Sequence, residues 1–217
     1  MTSGLEPKLT SRVTAPSQAA LDLDPSNPYD YVDGGHLKHA TTSSSGEATL
    51  SMWINPDNLT EDTRLYGQIT PGGVHQGAVR IGPGGNLEVY PGAAWQELIP
   101  AGQLAAGSWQ HLALVWKNGN QMTAYLDGVQ QSTATSQFHF DGSPNAVGFG
   151  IGARYRGTSG HSFDGRIDDV AVWTQALQPE SIGYLADGAS PLNPVAQREY
   201  LQVVNVDVQG GSQAAYA

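Results

Sequence analysis

Residues 163–188 read FDGRIDDVAVWTQALQPESIGYLADG. The segment starts as a strand carrying the adjacent acids Asp168 and Asp169, breaks at Thr174–Ala176, and resumes as a short helix. Pro179 suits a first helical position because its missing N–H would have no intrahelical partner there, and Glu180 beside it complements the positive helix end. Ile182 and Leu185 lie three apart and form one apolar stripe, after which Asp187-Gly188 stops the helix. Two turns of helix do not stand alone in water, so this one must lie against a β-structure as a plug. The paired acids just upstream are left as a question for the fold.

The surrounding chain supplies that β-structure. ATLSMWINP (48–56) alternates Leu50, Met52 and Ile54 with Thr49, Ser51 and Trp53, and the aromatic on the second face predicts a strand covered on both sides. GAVRIGPGGNLEVYPG (77–92) reads as two strands about a Gly-Pro-Gly-Gly-Asn turn. In GSWQHLALVWKNGNQMTAYLDGVQ (107–130), two β-rich runs flank Asn118-Gly119, and a second turn follows at Asp127-Gly128. Both dipeptides tolerate the positive φ angles of tight hairpins. AVGFGIGA (146–153) predicts a small, Gly-rich strand with either a curved sheet or close backbone approach; it opens a loop and not a helix, so it is no phosphate-binding loop.

The chain has 217 residues with 27 Gly, 13 Pro and 14% charged residues, a composition suited to one large, turn-rich β domain. It has no cysteine, which removes disulfides, thiolate metal sites and Cys nucleophiles together. The formal charge of −10 repels phosphate backbones, so no nucleic-acid partner is expected. No run of 18 apolar residues offers a membrane span, and the first twenty residues lack the apolar core of a secretory leader. The expected organisation is an N-terminal arm (1–20), a jelly-roll domain (21–188) and a C-terminal arm (189–217) with a late strand in LQVVNVDVQ (201–209).

Four segments, in order, resemble the laminin-G-like jelly rolls of the concanavalin A-like lectin/glucanase superfamily. ALDLDPSNPYDYVDGG (20–35) is similar to the opening strand pair and ATLSMWINP to the strand after it. The Trp109-x-His111 strand with its Tyr-x-Asp-Gly hairpin, and the Gly165-x-Ile167-Asp168-x-Val170 strand with its helix, resemble the later ones. The implied fold is all-β: two antiparallel sheets in a curved sandwich of about a dozen strands. The resemblance also implies a structural calcium near the opening and closing strands, with Asp22, Asp24, Asp33 and Asp168 as candidate ligands and Asp30 nearby. Calcium takes six to eight oxygens, which carboxylates and turn carbonyls supply. The alternative role for these acids is to cap turns and accept backbone N–H groups.

Nothing predicts an enzyme. Glucanases of this superfamily place carboxylates at alternate positions of one strand, and no E-x-D-x-x-E or E-x-D-x-E pattern occurs; Glu88 and Glu97 are separated by a Pro-Gly turn. No catalytic residue is therefore named. There is no G-x-S-x-G elbow, P-loop or zincin motif, His36 and His39 lack a zinc-site setting, and His111 reads as a core residue. The ligand-binding candidates are Tyr90, Trp95, Arg154, Tyr155 and Arg156, all assigned to loops. Rings there stack on a sugar's apolar face while Arg or Asp bonds its hydroxyls, the alternative being loop anchoring. The expected role is a non-catalytic structural protein. It assembles through its arms into a homo-oligomer or larger shell at a virion or extracellular surface, as a decoration or appendage component. The second reading is a calcium-assisted, glycan-binding module.

Overall fold

The computed structural model describes residues 20–24, 32–33, 47–69, 75–90, 94–117, 121–135, 148–153, 161–173 and 175–191. Twelve strands form among them: β1 (Leu21–Leu23), β2 (Val32–Asp33), β3 (Ala48–Pro56), β4 (Thr63–Ile69), β5 (His75–Ile81), β6 (Leu87–Tyr90), β7 (Gln96–Ile99), β8 (Gln110–Lys117), β9 (Gln121–Leu126), β10 (Val129–Thr135), β11 (Gly148–Ile151) and β12 (Gly165–Trp173). They build two six-stranded antiparallel sheets, β1-β12-β3-β8-β9-β10 and β2-β11-β4-β5-β6-β7. One helix, α1 (Pro179–Ala186), follows β12. The jelly-roll sandwich is the fold expected from the sequence. The N-terminal arm and the strand expected at 201–209 lie outside the described residues, as do Asn118-Gly119 and all of the C-terminal arm beyond Pro191.

The main core lies between the sheets. Leu50, Met52 and Ile54 of β3 and Leu112, Leu114 and Trp116 of β8 meet Leu65, Val79, Ile81, Leu87 and Val89 of the facing sheet. Each such side chain contributes about 1.5–3 kcal/mol by leaving water. All nine residues of β3 are buried, so Thr49, Ser51 and Trp53 on its other face must also be covered. Their cover is a second, smaller core in which Ala113, Val115 and Tyr125 of the sheet meet Leu177, Ile182 and Leu185. The helix runs as the sequence predicts, with Pro179 at its start, Ile182 and Leu185 buried, and Gly188 just beyond its end at φ +87°.

Thr49 fixes the approach to that helix. Its Oγ1 donates to the Gln175 carbonyl at 2.8 Å and accepts the Leu177 N–H at 3.0 Å, so a single buried hydroxyl satisfies two backbone groups of the segment entering α1. The Asp127-Gly128 turn fixes the other side. Both residues have positive φ, +50° and +77°, as a two-residue hairpin loop between β9 and β10 requires. A side chain at position 128 would sit 3.2 Å from Ala186 Cβ and Gly183 Cα, so glycine also lets the helix settle onto the hairpin. Close backbone approach is likewise found beside β11, where a Cβ on Gly152 would lie 2.2 Å from Leu23 Cδ1.

The adjacent acids of β12 form a bulge. Pairing with β3 shifts register between Asp168 and Ala171, and Asp169 adopts φ +48°, a left-handed conformation that Asp tolerates better than most residues. The Asp169 N–H donates to Asp168 Oδ1 at 2.8 Å. Burial, with the neighbouring Asp168 charge second, raises the Asp169 carboxyl above its ordinary value.

Candidate binding face

The outer face of β4-β5-β6-β7 is built differently. Along β5 and β6, Val79, Ile81, Leu87 and Val89 point into the core, which turns Arg80, Glu88 and Tyr90 outward by strand alternation. The Gly82–Asn86 turn, closed by the Gly82 N–H to the Asn86 carbonyl at 2.8 Å, pairs Ile81 with Leu87 and so Arg80 with Glu88. Registers with the flanking strands extend this into one row, Arg64–Arg80–Glu88–Glu97.

Charge alternation locks the row. Arg80 donates through Nε to Glu88 Oε2 at 2.5 Å and through a terminal nitrogen to Asp62 Oδ2 at 2.6 Å. Arg64 pairs with Asp62 Oδ1, and His161 Nδ1 lies 3.3 Å from the Asp62 carbonyl. At the other end, Asn86 Nδ2 donates to Glu88 Oε1 at 3.2 Å and Glu97 Oε2 at 2.8 Å. Trp95 lies over the arginines, its ring centroid 3.9 Å from the Arg80 guanidinium carbon and 4.6 Å from that of Arg64. These are cation–π distances, and they orient the indole from beneath. Tyr90 stands beside it, with ring centroids 5.3 Å apart at 52°. Both rings are half-buried.

The two aromatic candidates are therefore brought together, although Tyr90 ends strand β6 and does not lie in a loop. Arg154, Tyr155 and Arg156 lie outside the described residues. Sequence reasoning missed Asp62, Arg64, Arg80 and Asn86, and read Glu88 and Glu97 as merely separated by a turn; they are direct cross-strand partners. The signal for Arg80 and Glu88 was present, because a tight turn over 82–86 makes them opposite neighbours.

The carboxylates proposed for calcium are arranged otherwise. Asp22 and Asp168 lie on β1 and β12, and Asp33 on β2 in the other sheet, its side chain outside the described residues. Asp22 pairs in register with Arg166, and Asp168 accepts the Asp169 N–H, the turn-capping role. Asp24 lies near Asp164, whose carboxyl is raised first by burial and then by the charges of Asp57, Glu61 and Asp24. Among the described residues no group of three or more His, Asp or Glu side chains is placed to hold a metal ion.

His111 occupies the opposite, covered face. Its Nε2 hydrogen-bonds the Ser51 hydroxyl at 2.8 Å and its ring meets Trp53 edge-on at 5.4 Å, while Nδ1 has no partner among the described residues. Burial lowers its pKa from 6.5 to about 4. The Asp127 carboxylate accepts the His111 backbone N–H at 2.9 Å, which ties the start of β8 to the β9–β10 turn.

This architecture is that of a lectin-type sandwich. Residues 27–183 match a laminin G family model described as the Concanavalin A-like lectin/glucanases superfamily, and the chain belongs to that superfamily. No curated protein matches it in sequence. Among solved structures, it is similar to domain 4 of AbnA, an extracellular arabinanase from Geobacillus stearothermophilus, in complex with arabinotriose. That match has 22% identity and a TM-score of 0.50, covering 72% of this chain and 80% of that one. A heptameric SAP-like pentraxin from Limulus polyphemus matches at 18% identity and TM-score 0.51, covering 65% and 70%. The NanB sialidase of Streptococcus pneumoniae matches at 15% identity and TM-score 0.60 over 76% of this chain, which spans 27% of the sialidase. At these identities the likeness carries the fold alone. Among the described residues, no helix is long and apolar enough to cross a membrane.

Proposed function

We propose that the chain is a non-catalytic carbohydrate-binding module that uses the outer face of β4-β5-β6-β7. The observation that carries this reading is Trp95 held over Arg64 and Arg80 with Tyr90 beside it, next to carboxylates aligned along one row. An indole fixed from beneath offers a preorganised platform for the C–H face of a sugar, and neighbouring carboxylates accept its hydroxyl protons. Superfamily membership and the arabinotriose complex of the arabinanase domain support the same reading.

Glu88 and Glu97 are close enough to invite comparison with a glycosidase pair. Glu88, however, accepts Arg80 on one oxygen and Asn86 on the other, and Asn86 also holds Glu97. A carboxylate with both oxygens engaged is poorly placed to attack an anomeric carbon or deliver a proton. The engaged state of Glu88 supports binding without turnover. The assembly role expected from the arms at 1–20 and 189–217 rests almost wholly on residues outside those described, whereas the binding role rests on a built face.

Titration of the full chain against a panel of neutral and acidic trisaccharides tests the proposal, with Trp95→Ala in parallel. Loss of the stacking platform is expected to weaken binding about tenfold or more, a magnitude set by roughly 1–2 kcal/mol of stacking. Unchanged affinity in that variant would move the site elsewhere. A chelator arm addresses calcium assistance: unaltered affinity is expected from the dispersed carboxylates, and a large loss would assign a calcium to residues beyond those described.

A further inference from the structure

Resting on the glycan-binding reading of this face, we infer that its ligand class is uncharged sugar, and that carboxylate-bearing or sulfated glycans are rejected. The described cations of the face, Arg64 and Arg80, are paired internally. Arg64 and Arg80 have side chains only 6% and 14% exposed, and Trp95 lies over both. Asp62 takes a terminal nitrogen of each, and Glu88 takes Arg80 Nε. An arriving anion would have to displace one of these partners to reach a guanidinium.

What the face turns outward is acceptor-rich. Asp62, just before β4, is 26% exposed, Glu97 is exposed, and Glu88 beside Glu97 in the row is 16% exposed. Three carboxylates, Asp62, Glu88 and Glu97, therefore stand against two guanidiniums, a local excess of one negative charge inside a chain of net charge −10. A neutral sugar brings hydroxyl donors, which these oxygens accept, and an apolar ring face for Trp95. An acidic sugar brings another set of acceptors and a like charge. At about 7 Å across a partly screened surface, one such repulsion corresponds to roughly tenfold in affinity.

The experiment is calorimetric titration of the full chain at low salt. The neutral probes are arabinotriose and maltotriose; the acidic probes of similar size are sialyllactose and trigalacturonate. The expected result is binding of a neutral probe and at least tenfold weaker binding of both acidic ones. Added salt is expected to narrow the gap by screening the repulsion. Glu97→Gln, an isosteric change at an exposed position, is expected to narrow it further by raising affinity for the acidic probes. Equal or tighter binding of an acidic probe overturns the charge preference while leaving the glycan-binding reading standing. A gap that Glu97→Gln does not alter overturns its assignment to this face. Binding of neither class overturns the glycan-binding reading itself, and the preference with it.

Discussion

The two sheets share one core but treat their outer faces in opposite ways. On β3-β8-β9, the outer residues Thr49, Ala113, Val115 and Tyr125 are buried beneath Leu177 and helix α1, producing a second core. On β4-β5-β6-β7, the corresponding positions carry Arg64, Arg80, Glu88 and Glu97, and among the described residues the Trp95 indole lies over the two arginines. Small or apolar outer residues let a plug dock and drive water out. Charged ones have to be paired with each other, and the pairing leaves a face whose polar edge still meets solvent. The comparison separates the part of the molecule that holds it together from the part available for recognition.

The strongest way to break the comparison is to uncouple the plug. Ile182, on the buried side of α1, is fully covered, and Ile182→Ala is expected to cost about 3 kcal/mol, as large-to-small core changes do. Chemical denaturation checks this, and a cost below about 1 kcal/mol would mean the helix adds little. Glycan affinity, read on the opposite sheet, should not change.

Acid should weaken the covered face by a similar amount. His111 is neutral in the folded chain down to about pH 4, whereas the unfolded chain takes up its proton near 6.5. The unfolded state thus binds more protons between those values, so stability falls as pH drops through that window, by roughly 3 kcal/mol in all. The raised carboxyls of Asp164 and Asp169 work in the other direction, because the folded state takes up their protons first. Urea titrations from pH 7 to 4 measure the net slope, and His111→Gln should flatten it. A slope unaltered by that change would assign the acid sensitivity to other groups.

Thr49→Val comes next, because it keeps the shape but removes both bonds to the segment entering α1. About 2 kcal/mol is expected, from two backbone groups losing a buried partner. On the open face the effect on stability should be smallest: Trp95→Ala, removing a half-buried ring, is expected to cost about 1 kcal/mol through its cation–π contacts. Its main effect belongs in the binding titration. A large stability loss there would make Trp95 a structural cap and sharpen the case against a ligand platform.

Much of this architecture was written along the chain. The two-sided burial of β3, the turn at Asp127-Gly128, and the Pro179 start and Gly188 stop of α1 are local: side-chain period, tolerated φ and a missing N–H decide them within a few residues. So, in principle, was the pairing of Arg80 with Glu88, since a hairpin fixes its own register. The approach of Asp62 to that pair, and of Asn86 to Glu97, was not legible, because it depends on where neighbouring strands and loops come to rest. Nor was the seat of Trp95 on Arg64 and Arg80, which joins residues from separate strands. Where Asp22, Asp33 and Asp168 lie, on β1, β2 and the β12 bulge, likewise came from the pairing of strands and not from the motifs.

The sequence by itself determined a cysteine-free, acidic, all-β chain with one short closing helix, because alternation, turn chemistry and composition act locally and add along the chain. Only the tertiary structure decided which outer face is buried and which is paired in charge. Those outcomes depend on cross-strand register and on distances between residues tens of positions apart, and strand alternation specifies a face without specifying what will lie opposite it.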